Sequence, residues 1–280
     1  MHTEPSPHPW GTGFTWSLPD TPPRALGAAQ KAAFDRDGYL VLHDVFDADT
    51  IGAVQAEIDR FEAETDAFLR SRTDGRFAIA EAGAITFTVH LVARSPLLRE
   101  FAARPEFAGW CADLVGPDAR LYWDQAVYKS PEKPRRFPWH QDNGYAFVEP
   151  QHYLTCWVAL TDATLHNGCP QVAPGWHRRG TLRHHYVDPL GWECLTEVDD
   201  VRVAEVGAGG VVVFSSLTPH LTGPNTTDAV RKAYILQYAP DGACRLDGDP
   251  DAGPPVTRTR CDDPDRQFVV LRDGVPVAAD

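Results

Sequence analysis

The segment from Leu121 to Tyr145, LYWDQAVYKSPEKPRRFPWHQDNGY, is where the chain changes character. Upstream of it, apolar residues recur at helical spacing. From Leu121 onward they gather in short runs cut by Gly and Pro, as strands do. The runs are LYWDQAVYK, YLTCWVAL, CPQVAPG, RVAEVGAGGVVVFSS and RKAYILQYAP. Helices grouped first and strands afterwards predict an α+β, mainly β, fold: a sandwich or jelly roll with N-terminal helices laid on one sheet. The same segment carries His140 and Asp142 one residue apart. On a strand, alternate side chains share a face, so these two would project together while Gln141 points away.

Residues 25–71 read as helix, short strand, helix. The first helix ends near Phe34 and Gly38, YLVL is β-like, and Asp47 or Asp49 caps the second. Ile51, Val54, Ile58, Phe61 and Phe68 form the apolar face of that second helix. Residues 95–116 supply one or two more helices, broken at Pro105 and closed at Gly116. Residues 1–24, rich in proline and polar side chains, are expected to form an extended arm or a poorly ordered tail. That leaves 25–280 as a single domain with its jelly-roll core at about 118–245. Residues 240–255 read as a loop, and RQFVVLRDGVPV (266–277) as a late strand or hairpin.

The 280 residues are 43% hydrophobic, enough for an ordinary core, and carry a formal net charge of -13. That charge argues against salt-driven adhesion to nucleic acid or anionic membrane. With neither a leader pattern nor a run approaching the ~20 apolar residues of a membrane span, a cytoplasmic protein is expected. The six cysteines include no C-x-x-C pair, so a zinc ribbon and a dithiol motif are excluded and reduced, buried thiols are expected. EVGAGGVVVF lacks the last glycine of a dinucleotide fingerprint and reads as a tight turn before a buried strand. Two locally basic stretches, HRRGTLRHH (177–185) and KSPEKPRR (129–136), are either solvated loops or guides for an acidic substrate.

By itself H-x-D is a weak signal. A third group strengthens it: VVVFSSLTPHLTGPN places His220 at the end of an apolar strand, 80 residues after His140. In a jelly roll such distant strands lie side by side. Two His and one carboxylate form the facial set that holds non-haem Fe(II) with open positions. Zinc takes the same ligands, usually for hydrolysis. Arg231 favours the former, because it lies 11 residues after His220, where a returning strand would let it grip a carboxylate bidentately.

This arrangement of H-x-D, a distal His and an Arg 11 positions later resembles the phytanoyl-CoA dioxygenase family of Fe(II)- and 2-oxoglutarate-dependent oxygenases. The likeness extends to GYLVLHDVF, GPDARLYWDQAVYKSP, CWVALTDATLHNGCPQVAPGWH and PHLTGPNTTDAVRKAYILQY, covering roughly residues 30 to 245. It implies that His140, Asp142 and His220 bind Fe(II). Arg231, helped by the Thr222 hydroxyl, would hold the distal carboxylate of 2-oxoglutarate while the keto acid end chelates the metal. Gln125 would face the co-substrate and Trp157 pack against it. Counting back without gaps puts a lysine position of some members on Thr88, whose hydroxyl cannot supply the charge. Tyr145 and Phe147 follow the H-x-D closely, and Trp176 and His177 sit in a turn that the family places near the pocket; these residues either line the substrate or pack in the core.

The reaction so implied consumes 2-oxoglutarate and O2, releases succinate and CO2, and hydroxylates an unactivated C–H bond of a small organic molecule. Asp142 fills the position that related halogenases leave open, so halogenation is not expected. The rival readings are a zinc-dependent hydrolase on the same ligands and a non-catalytic metabolite-binding jelly roll. A small-molecule partner is expected, and neither nucleic acid nor membrane; oligomeric state is unreadable.

Overall fold

The computed structural model describes residues 5–131 and 137–278. Helix α1 (Ala28–Asp37) stops where Gly38 takes a left-handed φ of 81°. Space demands glycine there as well: a Cβ would fall 2.4 Å from His177 Nδ1 and 2.6 Å from Thr218 Oγ1. The turn feeds strand β1 (Tyr39–Leu42) and helix α2 (Ala48–Ser71), whose cap Asp47 accepts the Thr50 N–H at 2.8 Å. Ile51, Val54, Ile58 and Phe61 are buried as read, but Phe68 is 49% exposed and Leu69 is buried in its place. Leu69 lies 18 residues beyond Ile51, five full turns, so it returns to the same face; Phe68 falls about 100° off it. Pro105 breaks the next helical stretch into α3 (Pro96–Ala102) and α4 (Pro105–Leu114), starting the second where a missing N–H has no intrahelical partner to lose.

Beyond β1, the larger sheet is built from β2 (Ile85–Val89) and β3 (Ala119–Lys129). The other layer opens with β4 (Phe147–Glu149), and the larger sheet resumes with β5 (Leu154–Ala159). Next come β6 (Pro170–Val172), β7 (Val211–Ser215), β8 (His220–Thr222), β9 (Arg231–Pro240) and β10 (Cys244–Asp247). The large sheet runs β1-β7-β5-β9-β3-β2, antiparallel throughout. The late hairpin Val269–Arg272 and Val275–Pro276 joins the margin of β3. A smaller layer pairs β8 with β6 and β4 with β10. This is a jelly roll with helices on one sheet.

Residues 240–255 are not simply a loop. Cys244 and Leu246 alternate inward on β10, which pairs with both β4 and Thr257–Arg260. Four strand residues between runs of Gly, Pro and Asp carry too little pattern to register.

Alternation along the large sheet creates two apolar faces. Outward, Cys156, Val158, Tyr234, Leu236 and Tyr238 pack with Ile58, Phe101 and Phe107 of the helices. Inward, Val127, Trp157, Ala159, Val212, Phe214, Ala233 and Ile235 form a second cluster. This inner face carries the site. The N-terminal arm is tied along the domain: the Asp113 carboxylate accepts the N–H groups of Arg24, Ala25 and Leu26 at 2.8 to 2.9 Å. All six cysteines are free and buried. Among the described residues, no helix is long and apolar enough to cross a membrane.

Candidate active site

His140 and His220 meet as a reciprocal antiparallel pair, with N–H to O distances of 3.0 and 2.8 Å. The pairing sets their rings side by side, centroids 4.3 Å apart. Asp142 does not continue a strand, as the H-x-D spacing alone would have it. It opens a short 3-10 turn, Asp142–Gly144, because Asp-Asn-Gly is turn chemistry and Gly144 lies flat against His184. Gln141 between them stays extended, with φ -105° and ψ 144°, and so keeps both ligand side chains to one side.

Gln141 does point away, into the interior rather than to solvent. Its Nε2 donates to Gly180 O at 3.0 Å and Leu217 O at 2.6 Å, and its Oε1 accepts the Leu182 N–H at 2.6 Å. Its backbone N–H donates to His184 Nε2 at 2.9 Å, and His184 Nδ1 faces Leu182 O at 2.9 Å. Gln141 and His184 therefore anchor the ligand-bearing backbone. Nothing in the sequence marked that role, because the bonds of Gln141 reach partners 39 to 76 residues away.

The ligating atoms of His140, Asp142 and His220 all lie within 4.8 Å of one another. His140 Nδ1 faces Pro138 O at 3.1 Å and His220 Nδ1 faces Thr218 O at 3.0 Å. A carbonyl only accepts, so each Nδ1 carries the proton and each Nε2 keeps its lone pair for a metal. Burial lowers the pKa of His140 to about 3, with help from the facing His220, and that of His220 to about 4. Both imidazoles are thus in the neutral, ligating form at pH 7. Burial pushes Asp142 upward, a penalty that a cation between the three donors would offset. Two imidazole nitrogens and one carboxylate, with no thiolate, suit Fe(II) held on one face.

On the inner face of β9, Arg231 is 1% exposed, with its guanidinium 5.1 Å above the Trp157 ring and Nη1 donating to Val127 O at 3.3 Å. Thr222, two residues beyond His220 on β8, shares that ligand's side of the strand. Gln125 lies on the inner face of β3, its Oε1 accepting from Trp123 Nε1 at 3.2 Å. Thr88 is not brought to the site. Its hydroxyl faces α2 and donates to Thr65 Oγ1 at 3.0 Å, while the β2 residues opposite Gln125 and Val127 are Val89 and Phe87. A one-residue error in counting moves a strand residue to the opposite face.

A positive charge sits instead on Lys129, the register partner of Arg231 on β3 and 1% exposed. Its Nζ donates to Gly223 O at 2.5 Å, fastening the segment that follows Thr222. The sequence placed Lys129 at the end of the strand run LYWDQAVYK and at the start of a basic stretch, with no role at the site. Residues 132–136 of that stretch lie outside the described residues.

Of the four substrate-lining candidates, Tyr145 is at the centre: its ring is 5.2 Å from that of His140 and it is 40% exposed. Phe147 lies on β4, buried under the rings of His8 and Trp10. His177 is buried against the arm, its Nε2 facing Asp35 O at 3.1 Å and its ring on Trp16. Trp176 packs on the cluster of Trp139, Leu182 and Leu195, beneath Arg179. These three were read from their nearness in sequence to the turn and the H-x-D. The turn after Pro174 instead docks on α1, where Asp37 O accepts the Gly175 N–H at 3.1 Å. The basic run 177–185 is also engaged within the protein, Arg178 with Asp35 and Arg183 with Asp251.

A family model described as Phytanoyl-CoA dioxygenase (PhyH) matches residues 34–233. Ectoine dioxygenase of Bordetella parapertussis is 28% identical over 239 residues, covering 76% of this chain and 75% of that protein. A 2-aminoethylphosphonate dioxygenase from an uncultured bacterium is 31% identical over 144 residues, covering 50% of this chain and 53% of that protein. Among solved structures, EctD from S. alaskensis with 2-oxoglutarate and 5-hydroxyectoine aligns with a TM-score of 0.62 at 26% identity, over 85% of this chain and 83% of that one. The epimerase SnoN, in complex with Fe3+, alpha ketoglutarate and nogalamycin RO, shares the fold with a TM-score of 0.66 at 22% identity, over 86% of this chain and 97% of that one.

Proposed function

The chain belongs to the phytanoyl-CoA dioxygenase family and is a 2-oxoglutarate-dependent non-haem iron dioxygenase, and from that premise we propose that it hydroxylates an unactivated C–H bond of a small organic molecule, releasing succinate and CO2. The observation that carries this reading is Arg231, buried over Trp157 on the face that closes against the His140, Asp142 and His220 cluster. A hydrolytic metal site needs no second grip on a carboxylate.

In this reading His140, Asp142 and His220 hold Fe(II) through two Nε2 atoms and a carboxylate oxygen. Bound iron with 2-oxoglutarate supplies O2 activation coupled to oxidative decarboxylation. The chain's own groups do the positioning. Arg231 donates to the distal carboxylate of 2-oxoglutarate, Thr222 adds its hydroxyl, and Lys129 brings a second positive charge to the same corner. Trp157 forms the floor beneath the guanidinium, and Gln125 faces the co-substrate from β3. Tyr145, beside His140 and partly exposed, meets the substrate at the mouth. Asp142 occupies the carboxylate position, which favours hydroxylation over halide transfer. An uncharged or carboxylated substrate fits better than a coenzyme A ester, since the arginines Arg178 and Arg183 are engaged by Asp35 and Asp251.

The test is anaerobic titration of the metal-free protein with Fe(II) and 2-oxoglutarate, following the weak visible charge-transfer band of a chelated keto acid. A band that disappears in His140→Ala supports the reading and justifies a substrate screen by succinate release. Iron binding without the band would contradict it.

A further inference from the structure

A carboxylate can meet a metal ion through one oxygen or both, and that choice sets how many coordination positions remain. Two side chains outside the ligand set bear on it here, Thr155 on β5 and Gln237 on β9. They are register partners on the inner face, and both are buried. Thr155 Oγ1 lies 2.5 Å from Asp142 Oδ2, and Gln237 Nε2 lies 3.3 Å from Thr155 Oγ1. With Asp142 ionised, as a metal ligand must be, the direction of these bonds follows: the carboxylate only accepts and the amide NH2 only donates. The single hydroxyl proton of Thr155 therefore goes to Asp142, while the Gln237 amide donates to the Thr155 lone pair and also bears directly on the Asp142 carboxylate. Asp142 Oδ2 is engaged by this relay, while Oδ1 faces His220 Nε2 at 3.7 Å.

We infer that Thr155, oriented by Gln237, is the positioning residue that makes Asp142 a one-oxygen ligand through Oδ1. The inference rests on the reading of the site as an iron and 2-oxoglutarate centre, and it explains how that centre keeps its open positions. Two imidazoles and one carboxylate oxygen would leave positions on a bound Fe(II) open for the keto acid and O2. A second carboxylate oxygen would consume one of them. A short, charge-assisted bond from Thr155 holds Oδ2 back, and Gln237 keeps the hydroxyl from turning towards another acceptor. Thr155 is ladder-paired with Phe214 and Gln237, so the sheet fixes the backbone that carries both side chains.

The test compares Thr155→Val, which keeps shape and removes the hydroxyl, with Thr155→Ser, which keeps the hydroxyl. Fe(II) affinity is measured anaerobically, and the number of oxygen donors is read by X-ray absorption on the Fe(II) protein. Thr155→Val is expected to bind Fe(II) about 10- to 100-fold more weakly and to gain a carboxylate oxygen, with a weakened keto acid band at saturating iron. Thr155→Ser is expected to restore all three, and Gln237→Leu to fall between wild type and Thr155→Val. Because donor number is a property of the bound metal, a loss of stability alone would not reproduce this pattern. Unchanged affinity and donor number in Thr155→Val, beside a normal wild-type band, would overturn the relay and leave the co-substrate reading standing. A wild-type protein that binds Fe(II) without any keto acid band would overturn that reading and the relay's role with it.

Discussion

Single atoms decide the ligand geometry. A Cβ on Gly144 would lie 2.0 to 2.3 Å from three atoms of the His184 ring. That ring is held at both nitrogens, by Gln141 N–H and Leu182 O, and has no easy direction in which to yield. Gly144→Ala is therefore expected to displace the Gln141 backbone and reduce Fe(II) affinity at least 10-fold; iron titration of the variant checks this, and wild-type affinity would show the ring to be movable. Arg231→Ala removes a different contact. Two charge-assisted bonds to a carboxylate, each worth roughly 1.5 to 3 kcal/mol, predict a loss of 2-oxoglutarate affinity of at least about 100-fold with Fe(II) affinity retained. Co-substrate affinity unchanged by the substitution would place the carboxylate elsewhere.

Elements act through register. On α2 a difference of one residue separates Leu69, buried, from Phe68, half exposed against the Phe77 ring. Leu69→Ala is expected to cost ~2 to 5 kcal/mol and Phe68→Ala less than ~1 kcal/mol, measured as shifts in urea midpoint. The reverse order would put the helix face where the sequence alone had suggested. On β2 the same one-residue logic separates Thr88, bonded to Thr65 of α2, from Val89 opposite Gln125. Thr88→Val should leave 2-oxoglutarate affinity within about twofold of wild type, since its hydroxyl faces away from the co-substrate; a larger loss in the same titration would show the side chain reaching the pocket.

Across the whole molecule, buried titratable groups set the response to acid. Burial holds both His152 and His177 near a pKa of about 4, against the usual 6.5. An unfolded chain takes up these protons below pH 6.5 and the native chain does so only near pH 4. Their stabilisation is thus present above pH 6.5 and lost as pH falls towards 4. Asp124 acts in the opposite sense: burial raises it to about 6, so its contribution is full below 3.8 and lost as pH rises through 6. Burial also lowers His8 and His220 to about 4, His140 and His184 to about 3, and His90 in the same direction, while Glu62 and Asp142 are raised like Asp124. Seven imidazoles outweigh three carboxyls, and the urea midpoint of the metal-free protein should fall between pH 6.5 and 4. Asp124→Asn should steepen that fall. A flat profile would contradict neutral, buried imidazoles at His152 and His177.

Local pattern was enough to read the class of fold and to single out the residues that the fold gathers into one cluster. Period-2 runs after Leu121, helical periods before it, and the spacing of His140, Asp142, His220 and Arg231 are local or countable features, and each survived folding. Trp157 and Gln125 came from the family resemblance, and strand alternation is consistent with both lying on the inner face. Only the tertiary structure decided which faces meet. It turned Thr88 towards α2, buried Phe147 and His177 under the N-terminal arm, and raised Lys129 from a basic stretch to the neighbour of Arg231. It also supplied the supports that hold Asp142 and its backbone: Thr155, Gln237, Gln141 and His184. Those residues act through hydrogen bonds spanning 13 to 82 positions of chain. Such bonds exist only once the sheets have paired, and no local pattern in the chain encodes which donor will find which acceptor.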